Sequence, residues 1–123
     1  MKQRAIVVAL LCLFGGAGRM RSEELLRLQI SPLVAPAPGF VSVRTLITAS
    51  DDNRALEITA VSENFERSST IELSGQSAPK VSTFQYANLP SGHYEITAVL
   101  IGSGGVRATV TRTADVIRMA GTR

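Results

Sequence analysis

Residues 89–94 read Leu-Pro-Ser-Gly-His-Tyr, and they run directly into the alternating stretch Glu-Ile-Thr-Ala-Val-Leu at 95–100. Pro90 fixes φ at about −65° and Gly92 can adopt a positive φ, so the pattern predicts a sharp reversal of the chain. After the reversal, every second side chain from Tyr94 onward is expected to point inward, as on a half-buried strand. We expect the Tyr94 ring to pack beneath the turn, with its hydroxyl satisfying a buried backbone amide a few residues upstream.

The same period-two alternation, broken by turn residues, recurs along most of the chain and predicts an all-β fold. No long helical crossover separates the strands, so we expect a seven-stranded antiparallel sandwich of two sheets. The strands are predicted at 26–30, 40–48, 54–62, 69–73, 81–87, 93–101 and 106–113. Between them, 32–39 holds three prolines and is interpreted as a stiff connection, and 102–105 as a flexible Gly-rich hairpin.

Two details of the alternation give sharper expectations. A change of phase in the second strand predicts a β-bulge near Thr45, and Val106 is expected to point inward at the start of the last strand. The same count places Val61, Val99 and Ile101 on an outward face, which predicts that a loop or a partner covers part of that face.

The motif Leu-Pro-x-Gly-x-Tyr before an alternating strand resembles the start of the sixth strand in fibronectin type III and related immunoglobulin-like modules. The resemblance spans residues 26–113, but the six-residue motif is its specific part. It implies a tyrosine corner in which Leu89, Pro90, Gly92 and Tyr94 are structural. The sequence departs from those families in having no Trp and no Cys pair in the strands. Such modules in exported bacterial proteins commonly serve as spacers, binding modules or adhesion elements.

The first seventeen residues have the order of a secretory signal peptide. Lys2 and Arg4 precede ten apolar residues at 5–14, and small residues follow at 15–18. The apolar run is shorter than the 20 residues or so that span a bilayer. We therefore expect cleavage after Ala17, a domain at 18–117 and a flexible tail at 118–123. The alternatives are an uncut segment that acts as the chain's one contact with a membrane, and an unusual buried strand.

Composition excludes several classes of function once residues 1–17 are removed. The whole chain has 13 basic and 10 acidic residues, and removal of Lys2 and Arg4 leaves 11 against 10, a net charge of +1. This balance does not favour a nucleic-acid partner. Cys12 lies within the same segment, so the mature chain has no disulfide, thiolate nucleophile or Cys-based zinc site. No cofactor is predicted.

Two groups of polar residues carry side chains that could form a functional site. Asp51, Asp52 and Asn53 carry oxygen ligands that suit Ca²⁺, but without ordered ligand spacing they are better interpreted as a turn. His93, the single histidine, lies near Ser91 and Glu95 in the sequence, a combination found in hydrolase triads. Because no nucleophile elbow accompanies them, a solvated loop histidine is the preferred interpretation and no catalytic residue is predicted.

The loop at 63–69 gives the one candidate contact with a partner. Phe65, Glu66 and Arg67 combine an aromatic side chain with two charges, which suits an anchor on another protein. The alternative is that Phe65 folds back onto the core.

These observations predict an exported, secreted or periplasmic, non-enzymatic immunoglobulin-like module with a structural or protein-binding role. Its expected partner is another cell-envelope protein, bound through an exposed edge strand or the loops at one end. The alternative is a carbohydrate-binding or adhesion module, for which the supply of aromatic side chains is poor.

Overall fold

The structure, a computed structural model, describes residues 22–118. One turn of helix precedes eight strands, and a short 3₁₀ turn at Gly75–Ser77 lies before the sixth. The helix is α1 (Ser22–Leu25), and the strands are β1 (Leu26–Ser31), β2 (Val34–Pro36), β3 (Gly39–Ile47), β4 (Asn53–Val61), β5 (Glu66–Glu72), β6 (Val81–Leu89), β7 (Gly92–Gly102) and β8 (Gly105–Ile117). Within this range no helix has both the length and the apolar character needed to cross a bilayer.

The strands form two sheets, which confirms the expectation of an all-β fold. A three-stranded sheet has the order β1-β3-β6, and a five-stranded sheet has the order β2-β8-β7-β4-β5. Every pairing is antiparallel except that of β2 with β8. Residues 22–118 therefore contain eight strands, so the predicted number of seven was wrong by one. The prediction that all pairings are antiparallel was also wrong, because one pairing is parallel.

The additional strand, β2, lies in the Pro-rich segment that was interpreted as a connection. The chain leaves β1 in one sheet, passes Pro32, and joins the other sheet beside β8. Asp115 donates its N–H to the Leu33 carbonyl, and Ala37 donates its N–H to the Ile117 carbonyl, both at 2.8 Å. Pro36 has no N–H to donate, and this is tolerated because β2 is an edge strand.

The core lies between the sheets and is built by alternate residues of the long strands. Tyr94, Ile96, Ala98 and Leu100 of β7 are all at most 1% exposed. Across the core they face the other sheet, whose buried side chains include Leu26 and Leu28 of β1 and Val41 and Val43 of β3. In their own sheet they lie beside buried side chains of the neighbouring strands: Leu56, Ile58 and Ala60 of β4, and Ala108, Val110, Ala114 and Val116 of β8. Aliphatic side chains dominate this core, as the low aromatic content requires.

Two predicted details of strand phase were wrong. Thr45 causes no bulge, because its side chain is fully buried and its Oγ1 donates to the Ser82 carbonyl at 3.2 Å. That bond lets a polar residue occupy an inward position, so β3 keeps its phase, and its register with β6 shifts instead between Gly39 and Val41. Val106 is 54% exposed, since β7 and β8 change register between Leu100 and Ile101.

Candidate protein-binding edge and the predicted site residues

The motif at 89–94 forms a tyrosine corner around a buried hydroxyl. Tyr94 is 1% exposed, and its Oη donates to the Pro90 carbonyl oxygen at 2.7 Å. Leu89, also 1% exposed, packs in the core at the end of β6. The hydroxyl therefore bonds a backbone group four residues upstream, which confirms that expectation, but the group is a carbonyl and not an amide N–H.

Gly92 has a different role from the one predicted. The residue with positive φ near the corner is Asn88, at 61°, and Gly92 has no positive φ. Glycine at position 92 allows close packing, because a Cβ there would lie 3.2 Å from the Cβ of Ser62, and the loop after β4 would have to shift by a few tenths of an ångström. The corner thus depends on the approach of the loop after β4 to the start of β7.

Phe65 packs inward against this corner. Its ring meets that of Tyr94 edge-on, with centroids 6.3 Å apart and planes at 77°. The Arg67 guanidinium carbon lies 5.3 Å from the centre of the Phe65 ring, and Arg67 Nη1 donates to the Ala87 carbonyl at 3.1 Å. Phe65 therefore does not protrude as an anchor for a partner. It folds back onto the core, as in the alternative given above.

Glu66, the third residue of that hypothesis, is exposed and begins β5, the last strand of the five-stranded sheet. Every second residue of β5 forms main-chain hydrogen bonds with β4. Two hydrogen bonds at the ends of the strand show which residues these are. Ser62 N–H donates to the Phe65 carbonyl, and Leu73 N–H donates to the Arg54 carbonyl, both at 2.8 Å. In an antiparallel pair the N–H and C=O of one residue point to the same side, and the side alternates along the strand. With the observed register, Glu66, Ser68, Thr70 and Glu72 direct their main-chain groups away from β4.

No strand among residues 22–118 pairs with this outer side of β5. Its sequence contains neither proline nor lysine, the residues that commonly protect an edge from further pairing. An open depression of about 390 Å³ adjoins the start of the strand and is lined by Val61, Ser62, Glu63, Asn64, Phe65 and Glu66. The edge thus offers a row of free donors and acceptors, with an open depression next to its first residue.

The other edges are shorter or partly obstructed. β1 has six residues, one fewer than β5, and β2 has three residues and ends in Pro36. β6 lies beside β5, and side chains bridge the two strands: Tyr86 Oη donates to Ser69 Oγ at 3.0 Å, and Arg67 Nη1 donates to the Ala87 carbonyl at 3.1 Å. The second bond occupies a main-chain acceptor of β6, whereas neither bond occupies a main-chain group of β5. We refer to the outer side of β5, Glu66–Glu72, as the β5 edge.

The Asp51–Asn53 segment is a turn that holds the hairpin between β7 and β8. Asp52 Oδ1 accepts from Ser103 N–H at 3.1 Å and from Ser103 Oγ at 2.5 Å, and Arg107 Nε lies 3.6 Å from Asp52 Oδ2. The hydrogen bonds from Ser103, followed by the positive charge of Arg107, hold the pKa of Asp52 below its ordinary value.

Asn53 extends the same contacts into the interior. Its side chain is fully buried, donates to the Thr48 carbonyl at 3.0 Å and accepts from Arg107 Nη1 at 2.5 Å. The contacts of this turn therefore occupy the side-chain oxygens of Asp52 and Asn53, two of the three residues considered as cation ligands. Among residues 22–118, no three His, Cys, Asp or Glu side chains come together as a metal-binding group.

His93 pairs with a residue that the sequence did not single out. Its Nδ1 lies 2.6 Å from Asp115 Oδ1 on β8, and the side chains are 64% and 46% exposed. The strand register places His93 opposite Asp115 and Glu95 opposite Thr113. Glu95 is therefore not the acid partner of His93, and Ser91 lies in the exposed turn.

No family model matches the chain, and no curated protein matches it. Several solved structures share its fold. The superoxide reductase (neelaredoxin) from Ignicoccus hospitalis has a TM-score of 0.61 and 14% identity, covering 76% of this chain and 80% of that protein. The sulfur carrier protein SoxY from Chlorobium limicola f thiosulfatophilum has a TM-score of 0.58 and 15% identity, covering 91% and 96%.

A third similar structure, a family 76 glycoside hydrolase from a bovine Bacteroides thetaiotaomicron strain, has a TM-score of 0.52 and 20% identity. The match covers 78% of this chain and 21% of the hydrolase, so it concerns one part of a larger protein. The sandwich fold occurs in a reductase, in a carrier and within a hydrolase, and a fold so widely used does not assign an activity. What these comparisons show of the chain is that it has a two-sheet, all-β fold.

Proposed function

We propose that this chain is an exported immunoglobulin-like module, secreted or periplasmic, that has no enzymatic activity and binds another cell-envelope protein through the β5 edge. The observation that carries the proposal is the row of four residues whose main-chain donors and acceptors point away from β4. An extended segment of a partner can add to such an edge as a further strand.

The immunoglobulin-like type is supported by the order of strands and the place of the corner. If β1 and β2 are counted as one strand that changes sheets, the chain has seven strands and Tyr94 opens the sixth. This is where immunoglobulin-like domains carry their tyrosine corner.

The absence of an enzymatic role is proposed because the polar groups already have structural partners. Asp52, Asn53 and Arg107 hold one end of the sandwich together, and Tyr94 bonds the corner. His93 and Asp115 form an exposed pair on neighbouring strands, and catalysis by such a pair requires a nucleophile and an oxyanion site within reach.

Export is proposed from the sequence alone. Residues 1–17, which carry the basic, apolar and small segments, lie outside the described residues, as does most of the predicted tail at 118–123. The proposal is tested by producing the full chain in bacterial cells. Export with cleavage after Ala17 predicts a periplasmic or secreted product that lacks seventeen residues by mass spectrometry.

The chemistry of the β5 edge indicates the kind of segment it would accept. Glu66 and Glu72 mark its two ends, and Ser68 and Thr70 lie between them, all exposed. Opposite charges across neighbouring strands are favourable, so a partner segment with Lys or Arg at its ends and small or β-branched residues between would fit. The carbohydrate-binding alternative lacks a platform, since Phe40 is the one aromatic side chain among residues 22–118 that is more than half exposed.

The experiment compares capture of partners by three forms of the protein. Wild type, Ser68→Pro and Ser68→Ala are immobilised and exposed to an envelope extract of the native cells. Ser68→Pro removes one outward N–H without touching the bonds to β4, whereas Ser68→Ala keeps that N–H and removes the hydroxyl near Thr59. We expect a specific protein to be retained by wild type and Ser68→Ala and lost from Ser68→Pro. Equal capture by all three folded forms, or no specific capture, would contradict binding at the β5 edge.

A further inference from the structure

The outward faces of the two sheets carry opposite charge. The three strands of the three-stranded sheet, β1, β3 and β6, contain Arg27 and Arg44 and no aspartate or glutamate. Both arginines are exposed, and Lys80 is exposed directly before β6. We call this the basic face.

The outward face of the five-stranded sheet carries the acidic residues of its strands. They are Glu57 on β4, Glu66 and Glu72 on β5, Glu95 on β7 and Asp115 on β8. The four glutamates are exposed, and Asp115 is the one that pairs with His93. We call this the acidic face.

The arginines of the same strands do not neutralise the acidic face. Arg67 covers Phe65, and Arg107 is bonded to Asn53. Arg54 donates to the Asp51 carbonyl at the end of the sandwich. Arg112 is exposed, but it lies opposite the buried Ile96 in the inner phase of β8, and its Nη1 donates to the Thr111 carbonyl at 3.0 Å. The acidic face therefore keeps an excess of negative charge.

Each face also has apolar side chains among its charges. On the acidic face, Val61 is 40% exposed, and Val99 and Ile101 are half-buried. On the basic face, Phe40 is 51% exposed and Val81 42%. Two exposed sheet faces with apolar side chains and opposite charge have the composition of a protein–protein contact.

We propose that the acidic face of one molecule docks on the basic face of a second copy of the same chain. A symmetric dimer would place like charges against each other on either face, which is unfavourable. The contact is therefore head-to-tail. Because the two faces lie on opposite sides of one sandwich, such a contact does not close and produces linear stacks. This association shares Glu66 and Glu72 with the β5 edge. The charge reversals that test it are therefore made at Glu57 on β4 and Glu95 on β7, away from that edge.

The test measures association by sedimentation velocity. The protein is produced from the full-length gene and purified with the N-terminus that it has after any processing by the cells. At an ionic strength of about 0.01 M, where charges act over about 30 Å, we expect the sedimentation coefficient of wild type to rise steadily with concentration. At about 1 M, where the range is about 3 Å, we expect a monomer. A wild-type protein that stays monomeric at low salt and high concentration overturns the proposal.

Charge reversal identifies the faces. The double variant Arg27→Glu, Arg44→Glu makes both faces acidic. The double variant Glu57→Lys, Glu95→Lys removes the negative charge from the centre of the acidic face, so that neither face is negative at its centre. Each double variant alone should lose association by at least about tenfold, and their mixture should recover it. Arg118→Glu, beyond the end of β8, is the control and should associate like wild type. Association that survives both reversals, or a mixture that does not recover it, refutes the proposal. If a reversed variant does not fold by circular dichroism, Arg27→Gln with Arg44→Gln replaces it and should show a reduced association constant.

Discussion

Replacing Tyr94 by phenylalanine removes a single hydrogen bond from the tyrosine corner and leaves the ring in place. The Tyr94 side chain is 1% exposed, and its hydroxyl donates to the Pro90 carbonyl at 2.7 Å. A net hydrogen bond contributes about 0.5–1.5 kcal/mol, and an acceptor left without a partner costs about 1–3 kcal/mol. Because Pro90 itself is exposed, water can reach part of the freed carbonyl. We therefore expect Tyr94→Phe to lower the free energy of unfolding by about 1–2 kcal/mol.

The assay is urea unfolding followed by far-ultraviolet circular dichroism, with thermal unfolding as a second measure. For a domain of this size, each kcal/mol lowers Tm by about 4–8 °C. Tyr94→Ala should cost more, about 3–5 kcal/mol, because it also opens a cavity beside Phe65.

Tyr86→Phe is the matched control, since the Tyr86 hydroxyl donates to the half-buried Ser69 side chain, which can turn to water. It should cost less than Tyr94→Phe. The account of the corner is refuted if Tyr94→Phe is as stable as wild type, or if Tyr86→Phe costs more.

Two further predictions concern the packing of β3 and the hairpin at the end of β7. A Cβ at Gly39 would lie 2.8 Å from a methyl group of the buried Val116, so Gly39→Ala should destabilise by about 1–3 kcal/mol, measured by urea unfolding. Gly104→Ala, where a Cβ meets nothing within 4 Å, is its control, and equal effects at the two positions would contradict the prediction. The pKa of Asp52 is lowered in the folded state, so its contribution to stability is present above the ordinary aspartate pKa of about 3.9 and is lost as pH falls through the lower folded value. The stability difference between wild type and Asp52→Asn should therefore shrink below about pH 4, and a difference that is constant from pH 7 to pH 2 would contradict this.

The long strands could be predicted because their inward residues are apolar at every second position, as from Tyr94 to Leu100. β2 could not, since Pro32, Pro36 and Pro38 dominate its local pattern, and its pairing with β8 depends on tertiary contacts. Thr45 was misinterpreted for a related reason. A polar residue in an inward position looks like a change of phase unless its hydrogen-bond partner, the Ser82 carbonyl, is known.

The candidate site was predicted in part. The sequence pointed to an exposed edge strand and to Glu66, but β5 was expected to begin at residue 69 because Glu66, Arg67 and Ser68 carry no apolar alternation. Asp115 was missed as the partner of His93, since cross-strand register determines which acid faces a histidine and that register has no local signal.

Amide hydrogen exchange by NMR tests the free β5 edge most directly, with and without the partner recovered by capture. In the isolated protein the amides of Glu66, Ser68, Thr70 and Glu72 should exchange quickly, while those of Arg67, Ser69 and Ile71, which bond β4, should be protected. On binding, the first set should become protected and the second should not change. If the first set is already protected in the isolated protein, or remains unprotected in the complex, the β5 edge is not the binding surface.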